Sequence, residues 1–157
     1  MEMIIRRYLP ADFPQVIAVF RRAIRSISAR DYSQQQTDAW SQADPDELRR
    51  RLDSSDVWVA SHDNIIAGFT NLEAGGYLDL LFTDPEYQRN GVATLLLDKL
   101  ERAAIEKGLT HIMTEASITA KPFFMQRGYQ LVEQQSVVVR GQEFINFRMR
   151  KPLLSLG

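Results

Sequence analysis

Two short apolar runs, Tyr77–Phe82 and His111–Ala116, are separated by a single segment that starts at Gly91 and ends at Lys107-Gly108. This spacing constrains the fold more than any other feature of the chain. The segment reads as a helix with core positions at Leu95, Leu96, Leu97 and Leu100, and Gly108 suits the left-handed residue after its last turn. Two strands joined through a helical crossover lie parallel. Other neighbouring runs point the opposite way. Val57–Ala60 and Ile65–Leu72 flank a His62-Asp63-Asn64 turn, and Val132–Val139 and Phe144–Arg150 flank Gly141, both at hairpin spacing. In the last run Ile145, Phe147 and Met149 alternate with Asn146, Arg148 and Arg150, so one face is buried. The expected fold is α/β, a mixed and largely antiparallel sheet of about six or seven strands with a parallel pair in the middle and about four flanking helices.

The rest of the chain fits that scheme. Met3–Arg7 reads as a first strand, followed by Asp12 as a helix N-cap and Phe13, Val16, Ile17, Phe20, Ile24 and Ile27 on one helical face. The polar stretch Ser28–Trp40 holds a short helix ending near Trp40, and Pro45–Leu52 forms another behind Asp44. Thr119–Arg127 reads as a helix capped by Thr119 and stopped by Gly128.

Composition removes whole classes of function. The 157 residues include no cysteine, which excludes a disulfide scaffold, a thiolate metal site and a cysteine nucleophile. Nineteen Lys and Arg against twenty Asp and Glu argue against sequence-independent nucleic-acid binding, which needs many uncompensated cations. The opening residues show no signal-peptide core and no apolar run is long enough to span a membrane, so a cytoplasmic protein without membrane partners is expected. His62 and His111 lack a second ligand at metal spacing, so no metal is expected.

The chemistry concentrates in Leu80–Ala93. A buried strand ends at Thr83, Asp84-Pro85-Glu86 turns the chain, and Gly91 stands where a helix begins. Such a turn presents free backbone N–H groups at the positive end of a helix dipole, and Gly91 and Ala93 are small enough for an anion to come close. The lysine and hydroxyl of a nucleotide P-loop and the glycines of a dinucleotide fingerprint are both absent.

Gln88-Arg89-Asn90-Gly91-Val92-Ala93 resembles the Q/R-x-x-G-x-G/A motif of the GNAT superfamily, the Gcn5-related N-acetyltransferases. Thr119-Ala120-Lys121-Pro122-Phe123-Phe124-Met125-Gln126-Arg127-Gly128-Tyr129 resembles a second block of the same family, at the usual separation. Asp31-Tyr32-Ser33, Ala39-Trp40 and Ala116–Phe124 further resemble its bacterial YafP-type branch. The resemblance covers almost the whole chain, with residues 1–152 as one domain and 153–157 as a tail. It implies a GNAT fold whose parallel strands splay apart, and acetyl-CoA as co-substrate. It also implies a pyrophosphate site on the amides of Gln88, Arg89, Asn90, Gly91, Val92, Ala93 and Thr94. Leu81, Phe82 and Thr83 would pair with the pantetheine arm like an added strand. Ser117 and Phe124 would stand beside that arm, the Phe82 N–H would polarise the thioester carbonyl, and Arg127 or Lys121 would reach the ribose phosphate.

Acetyl transfer to an amine moves two protons, one off the ammonium and one onto the leaving thiolate. Many relatives use a tyrosine as the acid where this chain has Phe124, which leaves Tyr129, Tyr77 and Tyr32 as alternatives. Asp79 and Glu115 are the candidate bases, each a lone carboxylate in an apolar strand beside the expected cleft. Tyr32 and Trp40, aromatics in a polar segment, and Tyr77 are the candidate acceptor-binding residues, and Phe144 is a similar case. The expected activity is direct transfer of acetyl to a primary amine of a small molecule by a monomer or homodimer. A non-catalytic acyl-CoA sensor, which Phe124 keeps open, and a peptide or protein N-acetyltransferase are the alternatives. Ser117 and His111 could imitate part of a hydrolase triad, but no G-x-S-x-G elbow surrounds Ser117.

Overall fold

A computed structural model describes residues 2–27 and 30–154. Ser28, where the polar stretch was expected to begin, and residues 155–157 of the expected tail lie outside the described residues. Among the described residues, seven strands form one sheet in the order β1-β2-β3-β4-β5-β7-β6. They are β1 (Ile4–Arg7), β2 (Asp56–His62), β3 (Ile65–Leu72), β4 (Tyr77–Thr83), β5 (His111–Ser117), β6 (Gln130–Val139) and β7 (Gln142–Pro152). Every neighbouring pair is antiparallel except β4 and β5, the pair joined by the helical crossover.

Five α-helices among the described residues flank the sheet, where about four were expected: α1 (Phe13–Arg25), α2 (Gln34–Ser41), α3 (Pro45–Asp53), α4 (Val92–Glu106) and α5 (Lys121–Gln126). On one face, α1 and α3 bury Phe13, Val16, Phe20, Ile24, Leu48 and Leu52 against Val57, Val59, Phe69 and Leu80. On the other, α4 buries Leu96, Leu97, Leu100 and Ala104 against Trp58, Leu78, Ile112 and Met149. Leu95, expected in the core, is 41% exposed because it falls outside the one buried face of α4, formed by Val92, Leu96, Leu97, Leu100 and Ala104. Gly68 lets α4 sit this close to the sheet. A Cβ there would stand 2.8 Å from the Phe82 carbonyl and 2.9 Å from Val92 Cγ1.

Local chemistry explains where the elements begin. Asp44 caps α3 by accepting from the Asp46 N–H, as expected. Two expected caps are corrected. Asp12 precedes α1, but its carboxylate turns back to take two hydrogen bonds from Arg6 and one from the Leu9 N–H. Thr119 donates to Asp31, and the Ser117 hydroxyl accepts the Ala120 N–H ahead of α5 instead. In the β2–β3 turn Asp63 and Asn64 both adopt positive φ, the geometry that suits a two-residue hairpin turn. No helix among the described residues is long and apolar enough to cross a membrane.

Candidate active site

The parallel ladder between β4 and β5 is only two rungs long, Tyr77 opposite Met113 and Leu78 opposite Thr114. Beyond it the strands part, although β4 stays paired to β3 through Thr83 and β5 stays paired to β7 through Ser117. A bulge explains the parting. Leu72 pairs with Leu78 and Asn71 with Leu80, which leaves Asp79 as an extra residue in β4. The bulge reverses the direction of the backbone polar groups that follow. Leu80 would supply the next rung to β5, but its N–H donates to Asn71 Oδ1 at 2.8 Å and its carbonyl accepts from Thr70 Oγ1 at 2.7 Å. Asn71 and Thr70 are fully buried in β3, so the bulge is held by neighbours that cannot move aside. The Thr114 hydroxyl donates to the Leu78 carbonyl at the last rung.

Strand alternation then decides which amides look into the seam. The Asp84 N–H donates to the Ala67 carbonyl, and Leu80 also bonds toward β3, so Phe82 between them shares that direction. Leu81 and Thr83 turn their N–H and C=O groups toward the gap. The Phe82 N–H, expected to polarise a thioester, therefore faces β3, while the Leu81 N–H faces the gap. The Phe82 side chain packs edge-on against Phe20, with Phe69 and Trp40 nearby.

The seam runs into the start of α4. Asp84 anchors the connecting turn, accepting from the Glu86 N–H and pairing with Arg22 of α1. Gln88, Arg89 and Asn90 are exposed, Arg89 and Gly91 have positive φ, and Gly91 precedes α4 in the left-handed conformation. Apart from its chain neighbours, nothing among the described residues lies within 4 Å of where a Gly91 Cβ would stand, so the space over the helix start is open. The first N–H groups of α4, from Val92, Ala93 and Thr94, have no intrahelical acceptor. Val92 buries its side chain beneath them and offers only backbone. Arg127 of the second motif block donates to Thr94 Oγ1 at 2.7 Å and stacks on Phe123, which puts a cation beside the same helix start. Lys121 instead lies over the Phe147 ring.

A cleft of about 790 Å³ runs along the seam. It collects Leu81, Phe82, Thr83, Gln88, Ser117 and Phe124 with Tyr32, Trp40, Tyr77, Asp79 and Glu115. Arg89, Asn90, Gly91, Val92, Ala93 and Thr94 lie outside its lining, on the loop and helix start. Phe124 is buried between Phe123 and Tyr129. Tyr32, Trp40 and Phe144 pack on one another, with ring centres 5.5–6.0 Å apart.

The ionisable groups differ in their surroundings. Both Asp79 oxygens accept from Arg51 of α3, at 2.7 and 2.9 Å. Glu115 is exposed and accepts from two amides, Gln135 at 3.0 Å and Asn146 at 3.4 Å. The Tyr32 hydroxyl accepts from the Ile118 N–H at 2.8 Å, and burial raises its pKa. Burial also raises the Tyr77 pKa, helped by Glu115 and Asp79. Tyr129 donates to Glu101 in the core, away from the cleft. No sequence signal gave Asn71, Arg51, Asn146 or the Arg22–Asp84 pair these partners, because each partner lies elsewhere in the chain.

An open parallel seam lined by a cleft and ending at the amide end of a helix has the shape and the donors to hold a long ligand with an anionic head. Known proteins place the chain further. Residues 28–151 match the acetyltransferase (GNAT) domain family. Over 146 residues, 93% of each chain, the protein is 44% identical to the uncharacterized N-acetyltransferase YafP of Escherichia coli. It is similar to a GCN5-related N-acetyltransferase structure from Rhodopseudomonas palustris, at TM-score 0.92 and 32% identity over 98% of this chain and 99% of that one. It also shares its fold with PaiA N-acetyltransferase from Thermoplasma acidophilum, solved in complex with coenzyme A, at TM-score 0.80 and 20% identity over 97% of this chain and 99% of that one. The chain belongs to the GNAT acetyltransferase family and is an acyltransferase.

Proposed function

We propose that the protein transfers acetyl from acetyl-CoA directly to a primary amine of a small molecule. The observation that carries this reading is the seam, bounded by Leu81–Thr83 and Glu115–Ser117 and leading to the free amides of α4. The Leu81 and Thr83 backbones pair with the pantetheine amides as an added strand. The N–H groups from Gly91 to Thr94 hold the pyrophosphate, and Arg127 adds a positive charge beside them. The PaiA relative bound to coenzyme A supports the same donor here.

The amine nitrogen attacks the thioester carbonyl carbon, and the Leu81 N–H stabilises the negative charge that builds on the oxygen. Glu115 takes the proton the amine gives up, since its hydrogen bonds among the described residues come from the amides of Gln135 and Asn146 while Asp79 is held by Arg51. The C–S bond then breaks, the amide forms, and Tyr32 protonates the departing thiolate in place of the hydroxyl that Phe124 lacks. Tyr32 stands beside Ser117 and Ile118 at the end of β5, on the cleft wall.

Thiol release from acetyl-CoA over a panel of primary amines tests the reading. Amine-dependent release is expected from the native protein. Gly91→Glu, which puts a bulky anion over the α4 amides, is expected to abolish it. Acetyl-CoA binding without release for any amine would leave a sensor as the better reading.

A further inference from the structure

β6 is the last strand of the sheet, and no strand among the described residues pairs with its outer edge. Natural edge strands carry devices against pairing with another chain, such as shortness, lysine, proline or a bulge. β1, at the opposite edge, has four residues, two of them Arg6 and Arg7. β6 runs ten residues, Gln130–Val139, without lysine or proline. Its one charge, Glu133, is paired with Arg148 of β7 at 2.9 Å. Leu131, Val132 and Val138 are exposed, Val138 to 72%. The register shift between Leu131 and Glu133 lies at one end and leaves Glu133–Val139 regular.

The hairpin turn fixes which backbone groups face outward. Arg140 and Gly141 both have positive φ, so β6 and β7 join through a two-residue turn whose closing pair, Val139 and Gln142, exchanges hydrogen bonds. Alternation then leaves the N–H and C=O groups of Gln134, Ser136 and Val138 on the open edge. The side-chain order is nearly palindromic: Leu131-Val132, then Glu133-Gln134-Gln135-Ser136, then Val137-Val138-Val139. A second β6, antiparallel about a two-fold axis at Gln135, sets Val132 against Val138, Glu133 against Val137 and Gln134 against Ser136. Gln134 and Ser136 then exchange their free backbone hydrogen bonds across the axis. The two Glu133 residues stand about 13 Å apart along the strands, beyond a Debye length of about 8 Å. An axis at Gln134 or Ser136 would set Val138 against a glutamine instead.

We infer that two copies of this chain associate antiparallel along β6, about a two-fold axis at Gln135, and join their sheets into one. The pairing is self-complementary, as a two-fold interface requires. It also reaches the site. Val137, Val138 and Val139 line the cleft. The register brings the partner's Val132 and the partner's Glu133 beside Val138 and Val137, so each copy extends the other's cleft wall.

The test joins sedimentation of the full-length protein to three single-cysteine variants. The chain has no cysteine of its own, so a disulfide reports only the residue introduced. In this register Gln135→Cys faces its own counterpart in a non-hydrogen-bonded pair, with Cα atoms about 4.5 Å apart and within disulfide reach. Gln134→Cys and Ser136→Cys lie roughly 8 Å from their counterparts, beyond that reach. The native protein is expected to sediment at twice the chain mass at about 100 μM. Gln135→Cys is expected to cross-link under mild oxidation at least about tenfold faster than the other two, a difference of one decade in rate. Val138→Lys, at an exposed position, puts a cation into each apolar end and is expected to return the protein to a monomer. The native Tm should rise with protein concentration, and that of Val138→Lys should not. A native monomer at about 100 μM overturns the inference. So does a dimer that Val138→Lys leaves intact, or cross-linking as fast at residue 134 or 136 as at 135. No readout uses acetyl transfer, so absent thiol release would sink the acetyltransferase reading and leave this inference standing.

Discussion

Burial gives single residues their chemical state here. Tyr32 is 4% exposed, and desolvation holds its hydroxyl in the neutral form to higher pH than an ordinary tyrosine. Its folded pKa is raised, so the proton stays on the oxygen below about pH 10, the usual tyrosine value. The rate should therefore show no falling limb between pH 7 and about 10, as kcat/KM profiles would record. Tyr32→Phe should lower kcat by about a hundredfold while CoA affinity holds, the scale of one lost general acid. An unchanged kcat would remove Tyr32 from the chemistry. Asp12 illustrates the opposite shift. Hydrogen bonds from Arg6, and then from the Leu9 N–H, hold its carboxyl below the ordinary aspartate value. A lowered folded pKa contributes stability fully above the unfolded value of about 3.9, and loses it as pH falls through the folded one. Asp12→Asn should destabilise the protein by about 1–2 kcal/mol at pH 7. The deficit should shrink as pH falls through the lowered folded value, which thermal unfolding followed from pH 7 into acid would show.

Among the elements, β4 carries the most consequence for its length. One extra residue, Asp79, turns Leu80 back to β3 and leaves the Leu81 and Thr83 amides facing the seam. Residue-resolved amide exchange should show this as an alternation, with Leu80 and Phe82 protected in the free protein and Leu81 and Thr83 exchanging fast. CoA should slow the second pair. Protection of Phe82 alone on binding would restore the one-residue-shifted register that the motif resemblance suggested. Asn71→Leu strands the buried Leu80 N–H, at a cost of about 1–3 kcal/mol. It should lower Tm and weaken CoA binding together, since the same side chain holds the bulge. None of this was legible from the β4 sequence alone. Tyr77–Phe82 reads as an unbroken apolar strand, and the side chains that bend it, Thr70 and Asn71, belong to β3. By contrast, the crossover through α4, both hairpins and the Asp44 cap depend on residues close in sequence, and they were legible. The expected Thr119 cap failed because Ser117, two residues earlier, takes the Ala120 N–H.

At the scale of the whole molecule, the seam divides the sheet. β1–β4 lie on one side and β5–β7 on the other, and two rungs join them. The remaining links are packing and long-range pairs, such as Lys151 of β7 with Glu101 of α4 at 2.9 Å, and Gln36 of α2 with the Glu143 carbonyl at 2.7 Å. The acceptor wall crosses the same divide, since Tyr32 and Trp40 from the first half meet Phe144 from the second. A sequence window sees each aromatic without its partner, which is why Tyr32 and Trp40 could be nominated but not assembled. A ligand lying in the seam bonds to both halves and to the start of α4 at once, so it should stabilise the fold as a unit. At a CoA concentration of 100 times Kd the gain is about 2.7 kcal/mol. For a chain of this length that raises Tm by roughly 5–11 °C. Gly91→Glu should show no such rise, and neither should primary amines added without CoA if the donor orders the seam first. A full rise in Gly91→Glu would place the coenzyme somewhere other than the start of α4.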